Sequence, residues 1–175
     1  MPGEGIVPGK DLCPGRICDS RVDDVADKYL SVSVEVPVTP SAVFSVLTDP
    51  AKHVELDGSG MLQLAHAPAR IAGEGETFAI AMRDESGRPY EVVNHVVAFE
   101  PDRVIAWMPA RPDRPPVGVR WEWELTATED GTRVTQTCDW SRVTDPEYLA
   151  RRKLPRVSAD KMRESITQVA ALAGR

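Results

Sequence analysis

Histidine, glutamine and carboxylate side chains that fall on an apolar sheet face are the residues of this 175-residue chain best placed to do chemistry. In YEVVNHVVAFE (90–100), His95 and Glu91 keep step with Val93, Val97 and Phe99. A buried polar group costs about 1–3 kcal/mol unless it is hydrogen-bonded. His95 is therefore a polar anchor, a general acid/base, or a core histidine satisfied by a neighbour. With Glu91 or Gln136 it forms the only inward set that offers an acid or base, which makes His95 the candidate catalytic residue. His53 and Asp57, in HVELD (53–57), could bind a polar head group, or be exposed loop residues with no role. No metal or cofactor is expected. Cys13 and Cys18 form a C-x₄-C pair without a second ligand pair, and His53 and Cys138 are far apart in sequence. Cys138 reads as a small buried hydrophobe. There is no G-x-S-x-G nucleophile motif. Gly73-Glu74-Gly75 lacks a third glycine and precedes a strand, so it is a turn and not a phosphate loop.

Composition narrows the classes. The apolar fraction is 42% and the charged fraction 27%, with a net charge of −6 and an isoelectric point near 5.1. Such a balance is that of a globular domain and argues against duplex nucleic acid as a partner. The longest basic cluster, Arg151, Arg152, Lys153 and Arg156, reads first as a solvated helix face. No apolar run approaches a membrane span, which argues against an integral membrane protein. The opening residues lack an apolar leader and three cysteines make no disulfide framework, so a cytoplasmic location is expected.

The elements that must position these residues begin at Tyr29. Residues 1–28 are rich in glycine and proline and read as an irregular N-terminal extension, with a short helix possible over Asp19 to Lys28. Strict alternation over 29–38 predicts a strand. Thr39-Pro40 and Asp49-Pro50 each pair an N-cap with proline at the first helical position, and predict two short helices. Six strands follow at 61–68, 76–83, 90–100, 103–109, 117–128 and 132–140, mostly joined by hairpin-length turns. Asp145-Pro146 starts another helix, broken at Leu154-Pro155. Pro155 to Ala173 then carries Met162, Ile166 and Val169 at helical spacing. The expected fold is α+β: a curved, antiparallel, seven-stranded sheet around one long C-terminal helix, with a cavity or a filled core between them.

Register predicts the wall. A two-residue loop at Asp130-Gly131 opposes Cys138 to Trp123 and Gln136 to Leu125. A three-residue loop after Glu100 opposes Ile105 to Phe99 and Trp107 to Val97. Pairing Met82 with Glu91 sets Phe78 beside His95. The expected ligand-facing set is Phe78, Met82, Glu91, His95, Phe99, Trp107, Trp121, Trp123, Gln136 and Trp140 on the sheet, and Met162 and Ile166 on the helix. The four tryptophans either pack the core or line the wall for an apolar ligand, their indole N–H groups serving as polar handles.

The segments 32–60, 96–107 and 130–140 (VSVEVPVTPSAVFSVLTDPAKHVELDGSG, VVAFEPDRVIAW and DGTRVTQTCDW) resemble the START-like, or SRPBCC, superfamily. The likeness is to its polyketide cyclase/dehydrase and lipid-transport branch, and covers residues 29–175 as one domain. It implies a helix-grip fold, an apolar ligand cavity, and a cavity entrance near His53 and Asp57. It transfers no catalytic motif. The expectation is binding of a hydrophobic or amphipathic small molecule such as a lipid or polyketide. A cyclase or dehydrase using the same cavity, and a protein-interaction module, are the alternatives.

Overall fold

The structure, a computed structural model, describes residues 24–26, 28–66, 69–84, 86–152 and 154–175. The extension up to Asp23, with Cys13 and Cys18, lies outside the described residues, as does Lys153.

The strands are β1 (Asp24–Ala26), β2 (Tyr29–Val36), β3 (Leu62–Ala65), β4 (Thr77–Arg83), β5 (Pro89–Glu100), β6 (Val104–Ala110), β7 (Arg120–Thr128) and β8 (Gly131–Asp139). They form one antiparallel sheet in the order β1-β2-β8-β7-β6-β5-β4-β3. The seven expected strands are all present. The eighth, β1, replaces part of the expected short helix: Asp24–Ala26 pairs with β2, where the exposed edge of a strand offers unpaired backbone groups.

The alternation in β2 has its predicted cause. Leu30, Val32 and Val36 face the core. The opposite face carries cross-strand polar pairs with β8: Ser31 with Thr137 at 2.9 Å, Ser33 with Thr135 at 2.8 Å, and Glu35 with Arg133 at 2.6 Å. The β8 strand begins at Gly131, where a Cβ would overlap the Val36 carbonyl, so only glycine lets the hairpin lie this close to β2.

Helices α1 (Pro40–Leu47), α2 (His53–Leu56), α3 (Pro146–Arg151) and α4 (Ala159–Ala173) follow their caps. Thr39, Asp49 and Asp145 each accept a backbone N–H with their side chain, the Asp49 cap opening a single 3-10 turn before α2. The C-terminal helix starts later than expected, at a Ser158 cap, because Arg152 and residues 154–157 are bent. Its apolar stripe of Met162, Ile166 and Val169 is fully buried, and it packs against β2, β8, α1 and α2. Ser165, also on that face, accepts the Gly58 N–H at 2.9 Å and ties α4 to the turn after α2.

Two registers differ from expectation. The β7–β8 hairpin turns at Glu129-Asp130, so Trp123 opposes Gln136 and Trp121 opposes Cys138. This is a slip of two residues, which leaves every side chain on its predicted face. The β5 strand is different. Its three-residue loop to β6 is as expected, with Phe99 opposite Ile105, but a bulge at Val97 then sets Trp107 opposite Val96. A bulge adds one residue and reverses the faces beyond it. Phe78 accordingly opposes Asn94, and Met82 opposes Tyr90.

Ile166→Ala should cost about 2–5 kcal/mol, the range for deleting a fully buried aliphatic side chain. Urea denaturation checks this; a loss below 1 kcal/mol would mean that α4 does not anchor the core.

Candidate functional site

The packing of α4 toward β2 and α1 leaves the inner face of β4–β7 partly uncovered. A cavity of about 630 Å³ lies there. Its walls come from the sheet, α2, the 109–119 loop, α3 and the bent segment before α4. Ligand pockets run from roughly 300 to 1,000 Å³, so the volume is that of a small-molecule site.

Of the sequence-predicted residues, Met82, Trp107, Trp121, Trp123, Gln136, His53 and Asp57 line the cavity. Met162 and Ile166 fill the core under α4, and Trp140 and Phe78 are buried outside the lining. Phe99 packs edge-on against Phe44 of α1, with ring centroids 5.3 Å apart. Glu91 and His95 are corrections: the Val97 bulge turns them away from the cavity. Glu91 is exposed, 3.9 Å from His66, while His95 pairs with Thr77 and Met108. Their places are taken by Val92 and Asn94.

The inward histidine is His53, and it is buried, not an exposed loop residue. Its Nε2 lies 2.7 Å from the Leu47 carbonyl, a partner that can only accept. The proton is thus on Nε2, and Nδ1 is left as a bare acceptor. Burial pushes the pKa down; the Leu47 hydrogen bond and the nearby Asp49 charge oppose the shift only in part. The ring stacks on Trp107 at 5.2 Å and meets Phe78 edge-on at 5.2 Å, while Phe78 meets Trp107 at 5.5 Å. Three rings lock together and hold the imidazole at the wall.

Asp57 holds a turn. Its Oδ1 accepts from the Ser59 N–H at 2.9 Å and hydroxyl at 2.6 Å, and its Oδ2 from the Leu62 N–H at 2.8 Å. Cys138 lies in the wall as a neutral thiol, its pKa pushed up to about 12, chiefly by burial.

Deeper in, Trp123 and Gln136 stand side by side on β7 and β8. The Trp123 Nε1–H and the Gln136 Oε1 are buried without a hydrogen-bond partner. Buried polar atoms are paired in the great majority of proteins, so two orphans at one register position are unusual. Asn94, 4% exposed, adds a second side-chain amide to the lining.

The mouth is made by residues that sequence reasoning missed as site residues. Arg111 and Arg114 come from the proline-rich loop, Arg151 and Arg152 from the end of α3, and Arg156 from the bent segment. Arg156 crosses to Tyr90 on β5, 3.3 Å from its hydroxyl and 6.0 Å above its ring. The signal available in the sequence was the basic cluster itself and the length of the 109–116 loop. Their convergence is tertiary.

The model of the family described as polyketide cyclase / dehydrase and lipid transport matches residues 29–174. Rv0088 of Mycobacterium tuberculosis strain H37Rv, itself described as uncharacterized, is 33% identical over 138 residues, covering 78% of this chain and 56% of that protein. The chain thus spans a little over half the length of that relative. Ms6760 of Mycobacterium smegmatis has a similar structure, with a TM-score of 0.63 at 16% identity over 91% of this chain and 98% of its own. A protein from Arthrobacter aurescens aligns with a TM-score of 0.63 at 18% identity, over 89% of this chain and 91% of its own. At these identities the two structures speak for the fold alone.

The buried His53 gives a pH dependence of known sign. The unfolded imidazole titrates near its ordinary value of 6.5 and the folded one below it. The unfolded state therefore binds more protons between those values, and stability, fully present above pH 6.5, falls as pH drops below it. In His53→Gln the melting temperature should vary less between about pH 5 and 6.5 than in the parent. Equal slopes in the two proteins would show that His53 is not the titrating group.

Proposed function

The chain belongs to the polyketide cyclase/dehydrase and lipid-transport family, and from that premise we propose that it binds an apolar or amphipathic small molecule between the sheet and its C-terminal helix. The observation that carries this is the 630 Å³ cavity, walled by Trp107, Trp121, Trp123 and Met82. Flat indole faces bury large apolar area with few rotatable bonds, which suits them to a rigid or extended hydrophobic guest. Phe44, Phe99, Met162 and Ile166 fill the space on the other side, so the core does not depend on an occupant.

His53 supports turnover as a second reading. A neutral imidazole, fixed by one hydrogen bond through Nε2 and by two aromatic neighbours, presents Nδ1 as an acceptor in the cavity wall. That is the equipment for removing a proton from a bound guest, as a cyclisation or dehydration requires. In this reading His53 takes the role that register reasoning gave to His95. The interaction-module alternative rests on the Arg151–Arg156 cluster and the N-terminal extension; the described arginines of that cluster also line this cavity.

Native mass spectrometry of the purified chain, followed by denaturing extraction, should reveal an apolar adduct. Titration with anilinonaphthalene sulfonate should give saturable binding with one site per chain. Val92→Trp projects a large ring into the cavity and should weaken that binding by roughly tenfold, about 1.4 kcal/mol. Undiminished binding by a folded Val92→Trp chain would overturn the cavity as the binding site.

A further inference from the structure

The cavity carries polarity at both ends, and the two ends differ. At the inner end, Trp123 is 1% exposed and Gln136 is 7% exposed. The first leaves an N–H donor unpaired and the second a carbonyl acceptor. A ligand carbonyl would satisfy only the indole, and an ammonium only the amide oxygen. A hydroxyl does both, accepting from Trp123 Nε1 while donating to Gln136 Oε1. The two residues are cross-strand partners, so their side chains stand side by side on one face of the sheet.

The mouth is cationic against the chain's own balance of −6. Five arginines line it, with Asp57, Asp145 and Glu147 as the acids. Those acids are committed. Asp57 holds its turn, Asp145 caps α3, and Glu147 pairs with Arg151 at 3.1 Å. Among the described residues, Arg111, Arg114 and Arg152 have no carboxylate partner. Guanidinium forks grouped at the rim of an apolar cleft match a carboxylate or phosphate. The wall from Trp123 out to Val117 spans six residues, at most about 20 Å of extended chain.

We propose that the cavity selects an extended apolar acid bearing a hydroxyl at the end remote from its charge. The anion meets Arg111, Arg114 and Arg152 at the mouth, and the hydroxyl bridges Trp123 and Gln136 inside. This rests on the cavity-binding reading and names its ligand class. Specificity follows from the pairing requirement: a guest without the hydroxyl leaves two buried groups unmatched, and a guest without the charge forgoes the arginines.

Four probes separate the ends: ω-hydroxydodecanoate, its methyl ester, dodecanoate, and ω-hydroxydodecyl phosphate, each titrated against tryptophan fluorescence. The first should bind roughly tenfold more tightly than dodecanoate and roughly tenfold more tightly than the ester, the scale of one well-formed or charge-assisted hydrogen bond. The tighter of the carboxylate and the phosphate identifies the head group. Gln136→Leu should erase the preference for the hydroxyl and leave the preference for charge. The Arg111→Gln, Arg114→Gln double variant should do the reverse and flatten the salt dependence. Equal affinities for ω-hydroxydodecanoate, dodecanoate and the ester would overturn the proposal while the cavity reading stands. Binding of none of the four probes, and none of anilinonaphthalene sulfonate, would remove the cavity reading as well. Thermal melts of each variant show that losses come from the site and not from unfolding.

Discussion

One helix cannot cover this sheet. Eight strands at about 4.8 Å spacing make a surface about 34 Å across, while a helix with its side chains is about 10–12 Å wide. The α4 stripe of Met162, Ile166 and Val169 commits the helix to β2, β8, α1 and α2. The sheet curls to shorten the mismatch, and α2, α3 and the 109–119 loop take up part of the remainder. What is left is the cavity. It is a consequence of where one apolar stripe docks, and α1 matters because it wedges Val43, Phe44 and Leu47 into the other side. The wall and the core share Leu56, Ile80, Val119, Trp123 and Cys138, and Asn94 and Gln136 set polar groups among them that a filled apolar core would not tolerate.

Much of this was legible because the relevant forces are local. Proline next to Thr39, Asp49 and Asp145 marks three helix starts, since the cap and the missing N–H act within four residues. Alternation in β2 marks one buried face. The β7–β8 faces were legible even though the turn was misplaced, because the slip was of two residues and parity survived. What failed was parity in β5. Nothing in NHVVAF announces that Val97 is bulged; valine has high strand propensity, and the bulge shows only in how β5 pairs with β6. One unforeseen residue turned His95 and Glu91 outward and brought Asn94 inward. The mouth was illegible for another reason: Arg111 and Arg156 lie far apart in sequence, and no periodicity connects them.

The burial of His53 shows the same limit from the other side. Its segment, between Pro50 and Gly58, reads as a short helix that leaves open whether His53 is exposed, yet His53 is 2% exposed. Two contacts account for this. The Leu47 carbonyl is left over at the end of α1, where helix carbonyls lack intrahelical partners, and the imidazole supplies the missing donor. Trp107 and Phe78 then receive the ring face and edge. A helix end that needs a donor and an aromatic pair that needs a third ring are both met by one side chain, and its charge is the cost.

That cost bears on what the wall can do to a guest. A histidine kept neutral by burial does not compete with the arginines for an anion, so the cavity keeps cationic and neutral polar groups apart. Charge gathers at the mouth, where water screens it and the long side chains remain solvated. Neutral donors and acceptors gather inside, where an ionised group would be costly. In the proposed binding mode a molecule entering from water would be sorted by polarity along its length, its apolar body against the indoles and its polar ends at matched positions. Binding of this kind also fixes orientation, because reversing the guest would bury its charge beside Trp123. A fixed orientation is what a carrier needs to release its cargo head first, and what an enzyme needs to bring one carbon of a long chain to His53. The same wall serves either, and the difference lies in whether a given guest carries an acidic proton within reach of Nδ1.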